Sequence, residues 1–223
     1  MPFRRPWLRA HLHGAIITFG SPGAGTAGKR YIGEARQGSG YNMFMAAVTG
    51  LTIDDFEQLP DDLARNHELD DGELIDVSGN NLQHNLLREL LARLLGMYAE
   101  EHRLGLVVSE QEYNFGGNAY GPDVSFVGES KRPLLNMSLR VQRVVPDLAI
   151  EIVSANDTFE KLAKKAKRYR ACGTQEVWIF CKETRQVFLF SEHRRVILDE
   201  NDEFRPEPIH GFGIRIGDLL DRY

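Results

Sequence analysis

The run Pro146-Asp147-Leu148-Ala149-Ile150-Glu151-Ile152-Val153-Ser154 leaves the chain few ways to fold, because it is β-prone and carries an acid in its middle. In a strand, alternation puts Asp147, Ala149, Glu151 and Val153 on one face and Leu148, Ile150 and Ile152 on the other. Both faces are then apolar near the centre, the pattern of a strand covered on both sides. An unpaired carboxylate buried there costs several kcal/mol or takes up a proton. Glu151 therefore requires a partner: an Arg or Lys, solvent at an open strand end, or a metal ion shared with a second carboxylate.

A second carboxylate lies within reach. Asp123 follows Pro122 at the start of the strand-like segment Pro122 to Val127. If the two strands are neighbours, Asp123 and Glu151 point to one side at one depth, and hard oxygen donors of this kind suit Mg²⁺. The helix after Glu151, expected from Asp157 to about Ala171 with Asp157 and Glu160 as a capping box, carries the stripe Phe159, Leu162, Ala166 and Tyr169. Lys165 stands beside that stripe and leans towards the sheet. Lys161, Lys164, Lys167, Arg168 and Arg170 make a basic band that could follow a phosphate backbone or form a solvated face.

Composition narrows the setting. The formal charge is -5 over 223 residues, but residues 1 to 44 hold six bases and one acid, which leaves -10 on residues 45 to 223. Such a balance does not itself recommend nucleic acid as a partner, so binding would rest on a local patch. The two cysteines, Cys172 and Cys181, have no metal-ligand spacing and fit free thiols in a reducing, cytoplasmic setting. No apolar run approaches the ~18 residues of a membrane span. Residues 1 to 44 hold eight of the 21 glycines and no sustained period, so a disordered extension is expected there, with a domain over 45 to 223. Inside it, Gly23 to Lys29 matches a phosphate-loop pattern. Arg30 replaces the hydroxyl that would meet Mg²⁺, and further glycines spoil the helix that should follow.

The remaining elements follow from periodicity. A short helix is expected over Thr52 to Leu59 with a loop at Pro60-Asp61-Asp62, then a hairpin turning at Asp71-Gly72. A long helix follows Asn81, with Leu82, Leu86, Leu87, Leu90, Leu91, Leu94 and Leu95 on a wide apolar face. Within it, His84 reads as a packing or hydrogen-bonding residue rather than a base, and Trp178 and Tyr169 read as core. One strand is expected over Leu104 to Tyr113, a mobile connection over Arg132 to Arg143, and a strand pair about the Cys181 to Thr184 turn, with an edge at Val196 to Leu198.

Taken in order, Glu68-Leu-Asp-Asp-Gly-Glu-Leu-Ile75, the His-led helix, Gly121-Pro-Asp-Val-Ser-Phe-Val127, the Pro146 run, Lys165-x-x-x-Tyr169 and Gly173-Thr-Gln-Glu-Val-Trp-Ile179 resemble the Uma family of putative restriction endonucleases, in the PD-(D/E)XK nuclease superfamily. The resemblance spans residues 50 to 223. It implies an α/β fold: a restriction-endonuclease-like three-layer core, with a mixed central sheet flanked by helices. It implies a Mg²⁺-dependent (or Mn²⁺-dependent) endonuclease acting on DNA, with Asp123, Glu151 and Lys165 catalytic and Asp123, Glu151 and Glu68 at the metal. Lys161, Lys164 and Arg168 would meet the nucleic acid, and a homodimer is expected by analogy with the superfamily. The superfamily's lysine two residues after the second acid is replaced by Val153, and Lys165 matches the family's displaced lysine. Cys181 stands where the family usually has Asp. The competing reading is a non-catalytic nucleic-acid-binding or interaction protein that keeps the fold.

Overall fold

A computed structural model describes residues 8–12, 15–19, 50–77, 79–154 and 157–222. The chain divides into two compact units, 1–78 and 79–223. Most of the glycine-rich stretch, with the phosphate-loop match and the boundary expected at residue 44, lies outside the described residues.

In the first unit, β1 (Leu8–Leu12) pairs antiparallel with β2 (Ala15–Phe19). Helix α1 (Ile53–Glu57) begins at Thr52, whose hydroxyl accepts from the Asp55 amide while the Asp55 carboxylate accepts from the Thr52 amide, a reciprocal cap. The expected loop after Pro60 winds instead into one helical turn, α2 (Asp61–Ala64), which a proline ahead of the first turn permits. Strands β3 (His67–Asp70) and β4 (Glu73–Asp76) form the hairpin. Asp71 and Gly72 both have positive φ, 50° and 82°, as a two-residue turn matching strand twist requires.

The second unit is built on a mixed sheet. Helix α3 (Leu82–Glu101) opens at Asn81, whose side chain accepts from the His84 amide. Strands β5 (Gly105–Ser109), β6 (Glu112–Asn114), β7 (Ala119–Tyr120), β8 (Val124–Gly128) and β9 (Val141–Gln142) follow. Then come β10 (Leu148–Ile152), α4 (Phe159–Ala171), β11 (Glu176–Cys181), β12 (Gln186–Phe190) and β13 (Arg195–Leu198). The chain closes with β14 (Glu203–Phe204), β15 (Ile214–Arg215) and α5 (Ile216–Leu220). The six-stranded order is β13-β12-β11-β10-β8-β5, with β10 and β11 parallel and the other neighbours antiparallel.

Strand alternation sorts the core into two layers. Leu148, Ile150, Ile152, Trp178 and Phe180 join Leu87, Leu90, Leu91 and Leu95 of α3 and the C-terminal Phe204, Phe212 and Leu219 on one face, whereas Leu82 and Leu86, expected on the apolar face of α3, are exposed. Ala149, Val177 and Ile179 join Leu162, Ala166 and Tyr169 of α4, with Tyr113, Phe115 and Tyr120, on the other. This is the three-layer arrangement expected for a strand apolar on both faces.

Three local expectations are corrected. The strand over Leu104 to Tyr113 breaks into β5 and β6 at Glu110, which has φ of 53°. The connection from Arg132 to Arg143 is tied down, for the buried Gln142 side chain donates to the Asn136 and Leu139 carbonyls and accepts from the Asn136 amide. The cap of α4 is Thr158, which accepts from the Lys161 amide, whereas Asp157 accepts from the amide and hydroxyl of Ser154. Gly173 (φ 105°) ends this helix as expected, supplying the left-handed turn that side chains resist.

Candidate active site

Register brings the two acids together. β8 and β10 pair Phe126 with Leu148, Ser125 with Ala149 and Val124 with Ile150. Continued one residue past the paired strands, that register would set Asp123 opposite Glu151, where opposed residues of an antiparallel pair share a face, and the Asp123 side chain does reach the amide that follows Glu151. Both are buried, at 8% and 5% exposure.

Each acid is held differently. Oδ2 of Asp123 accepts from the Ile152 amide at 2.7 Å and lies 3.2 Å from Nε2 of His84. Oε1 of Glu151 accepts from the Tyr169 hydroxyl at 2.6 Å and lies 3.8 Å from Nζ of Lys165. The same ammonium sits 5.5 Å from the centroid of the Tyr120 ring, so Lys165 is held between a carboxylate and an aromatic face. Helix geometry explains the pairing, since Lys165 and Tyr169 are four residues apart and emerge on one side of α4.

Lys161 and Lys164 are exposed on α4. Arg168 turns inward, with its guanidinium donating to the Tyr120 hydroxyl at 2.5 Å and stacking over that ring at 5.8 Å. Glu68 lies in β3 of the first unit and is buried there. Cys181 closes β11, half-buried and free.

Three residues exceeded their sequence reading. Tyr169, read as core, is fully buried and also bonds Glu151; its spacing from Lys165 was the available signal. His84, read as a packing or hydrogen-bonding residue, reaches Asp123 across 39 positions, a contact with no local sequence sign. Lys182 belongs to no motif of the sequence. Burial pushes its ammonium below the ordinary range, opposed by the charges of Glu183 and Asp123 among others.

Among the described residues, no three His, Cys, Asp or Glu side chains gather in a metal-holding arrangement. Asp123 and Glu151 make a two-carboxylate set within the second unit. That set fits Mg²⁺, which uses one or two carboxylates and completes its shell with water and substrate phosphate, and does not fit a structural zinc site.

The family described as "Uma2: Putative restriction endonuclease" matches residues 53–217. The chain belongs to this family. Asp123, Glu151 and Lys165 all fall inside the stretch matched to Uma2. A solved structure described as a putative nuclease belonging to DUF820, from Anabaena variabilis, is similar at 21% identity with a TM-score of 0.69. That similarity covers 77% of this chain and 98% of the other. It supports the restriction-endonuclease-like fold for this Uma2 chain. No curated protein matches it.

Proposed function

We propose that the chain is a Mg²⁺-dependent endonuclease that hydrolyses phosphodiester bonds in DNA. The observation that carries this reading is a pair of buried carboxylates on adjoining strands, Asp123 bonded to the amide that follows Glu151, with an ammonium 3.8 Å from Glu151. Two acids placed so close repel each other and gain little from packing, which points to a cation they serve together.

Asp123 and Glu151 would hold Mg²⁺, which supplies Lewis-acid polarisation of a phosphate oxygen and activation of water when bound. Lys165 brings positive charge to the phosphoryl group as its negative charge grows in the transition state. The Tyr169 hydroxyl keeps Glu151 from swinging away, and the Tyr120 ring limits where the Lys165 ammonium can go. Exposed Lys161 and Lys164 offer contacts to the DNA backbone at no cost in sequence selectivity. Membership of the Uma2 family supports the same reaction class. No described helix is long and apolar enough to cross a membrane.

The test is cleavage of plasmid and single-stranded DNA with Mg²⁺ or Mn²⁺ by wild type, Glu151→Ala and Lys165→Ala. Metal-dependent cutting by wild type, lost in both variants, is expected. Cutting that survives in Glu151→Ala would remove this site from the reaction. No cutting and no Mg²⁺ binding by any form would favour a protein that keeps the fold without catalysis, the reading that the acidic charge of residues 45 to 223 supports.

A further inference from the structure

His84 is 2% exposed in the first turn of α3, where polar side chains ordinarily face water. Its Nε2 lies 3.1 Å from the Ile152 carbonyl and 3.2 Å from Oδ2 of Asp123. Both neighbours are acceptors there, since Oδ2 already receives the Ile152 amide. Nε2 must therefore carry the proton, which fixes the tautomer. The other nitrogen, Nδ1, is buried without a hydrogen-bond partner among the described residues. A buried polar atom left this way costs about 1–3 kcal/mol, and a leucine or methionine would fill the space without that cost.

We propose that His84 is a positioning residue for Asp123. The Ile152 amide donates to Oδ2, and Nε2, hydrogen-bonded to the Ile152 carbonyl, sits 3.2 Å from the same oxygen. The carboxylate is locked with Oδ2 turned into the protein. Oδ1 has no hydrogen bond among the described residues, and it is the oxygen this arrangement presents to a ligand. The inference rests on the metal-site reading above and adds to it which oxygen serves the cation and what holds it there. The Asn81 cap completes the device, because its bond to the His84 amide fixes where α3 starts and so where the ring enters.

The experiment compares full-length wild type with His84→Ala, His84→Gln and His84→Asn, using Mn²⁺ binding by electron paramagnetic resonance, plasmid cleavage in Mg²⁺, and thermal unfolding. Glutamine can place an amide N–H near the Nε2 position, whereas asparagine reaches only the Nδ1 position. Alanine and asparagine should weaken Mn²⁺ binding and cleavage by about 10–100-fold, the usual scale for a partner behind a metal ligand, and glutamine should restore most of both. A purely structural role would make the losses follow the unfolding temperature instead of the donor position. If His84→Ala fails to fold, the glutamine and asparagine pair still decides. Binding and cleavage within twofold of wild type in the asparagine variant, or no advantage of glutamine over asparagine, would overturn the proposal while leaving the site intact. A wild type that neither binds Mn²⁺ nor cuts would overturn the site reading, and the role of His84 with it.

Discussion

Two Pro-Asp pairs lie at opposite ends of β10, and their acids are treated in opposite ways. Asp147 at the start of the strand has both oxygens engaged: Oδ1 meets Lys131 at 2.7 Å and Gln175 at 2.8 Å, and Oδ2 accepts from the Gly128 amide at 2.8 Å. Asp123, opposite the other end, has the Ile152 amide and the His84 ring nitrogen at one oxygen and no hydrogen bond on the other among the described residues. Both acids are buried to nearly the same degree. Burial alone therefore does not separate an acid that holds the fold together from one kept for a ligand. The completeness of its partners does.

The largest expected effect puts that contrast to the test directly. Asp123→Asn should lower metal-dependent DNA cleavage by at least about 10²-fold, since a carboxylate is exchanged for a weak metal donor. Asp147→Ala should leave cleavage per folded molecule unchanged, and equal losses in both variants would end the distinction. Stability should show the reverse. Asp147→Ala leaves the Lys131 ammonium without its buried partner and should cost about 3 kcal/mol in urea unfolding, against less than about 1 kcal/mol for Asp123→Asn. A smaller change comes from Tyr169→Phe, which strips one charge-assisted bond from Glu151; Mn²⁺ affinity should fall about 10-fold, and calorimetric titration showing less than a twofold change would detach Tyr169 from the site.

Glu176 supplies the smallest and sharpest case. Its Oε2 accepts from the Trp178 indole and the Glu207 amide, while Oε1 is sealed away without a partner among the described residues. Like Asp123 it is half-satisfied, and the charge of Glu207 acts on it from nearby. Burial raises its pKa above the ordinary 4.5, against the lowering effect of the Trp178 bond. A raised acid contributes stability that is full below its unfolded value and lost as pH rises through its folded value. Glu176→Gln has no such loss, so the variant should gain on wild type as pH rises above the ordinary value of 4.5 in urea unfolding. A constant difference as pH rises would show that burial does not raise the Glu176 carboxyl.

Much of this architecture was legible because it is local. The alternation of β10, the extent of α4 to Ala171 and the Asp71-Gly72 turn each follow from periods and turn chemistry within a few residues. The facing of Asp123 and Glu151 was legible as a condition on strand neighbourhood, which the register of β8 and β10 meets. What escaped depends on distant chain. No pattern near His84 announces Asp123. The brief strands β7 and β9 are too short to carry a period, and they exist because β6 offers them an edge on either side. Thr158 displaced Asp157 as the cap because Ser154 captured the aspartate first, a competition between two local bonds that composition cannot rank.

The chain separations across the site also order its assembly. The Tyr169 bond to Glu151 closes 18 positions within a single strand-helix-strand unit, the Asp123 bond to Ile152 closes 29, and the His84 bond to Ile152 closes 68. Loop closure costs more as the separation grows, so the Glu151 half can form from nearby chain while the Asp123 half waits for β8 and α3 to dock. By that ordering the site is complete only when β8 and α3 have both docked on β10. Competence arrives only with the last and longest closure.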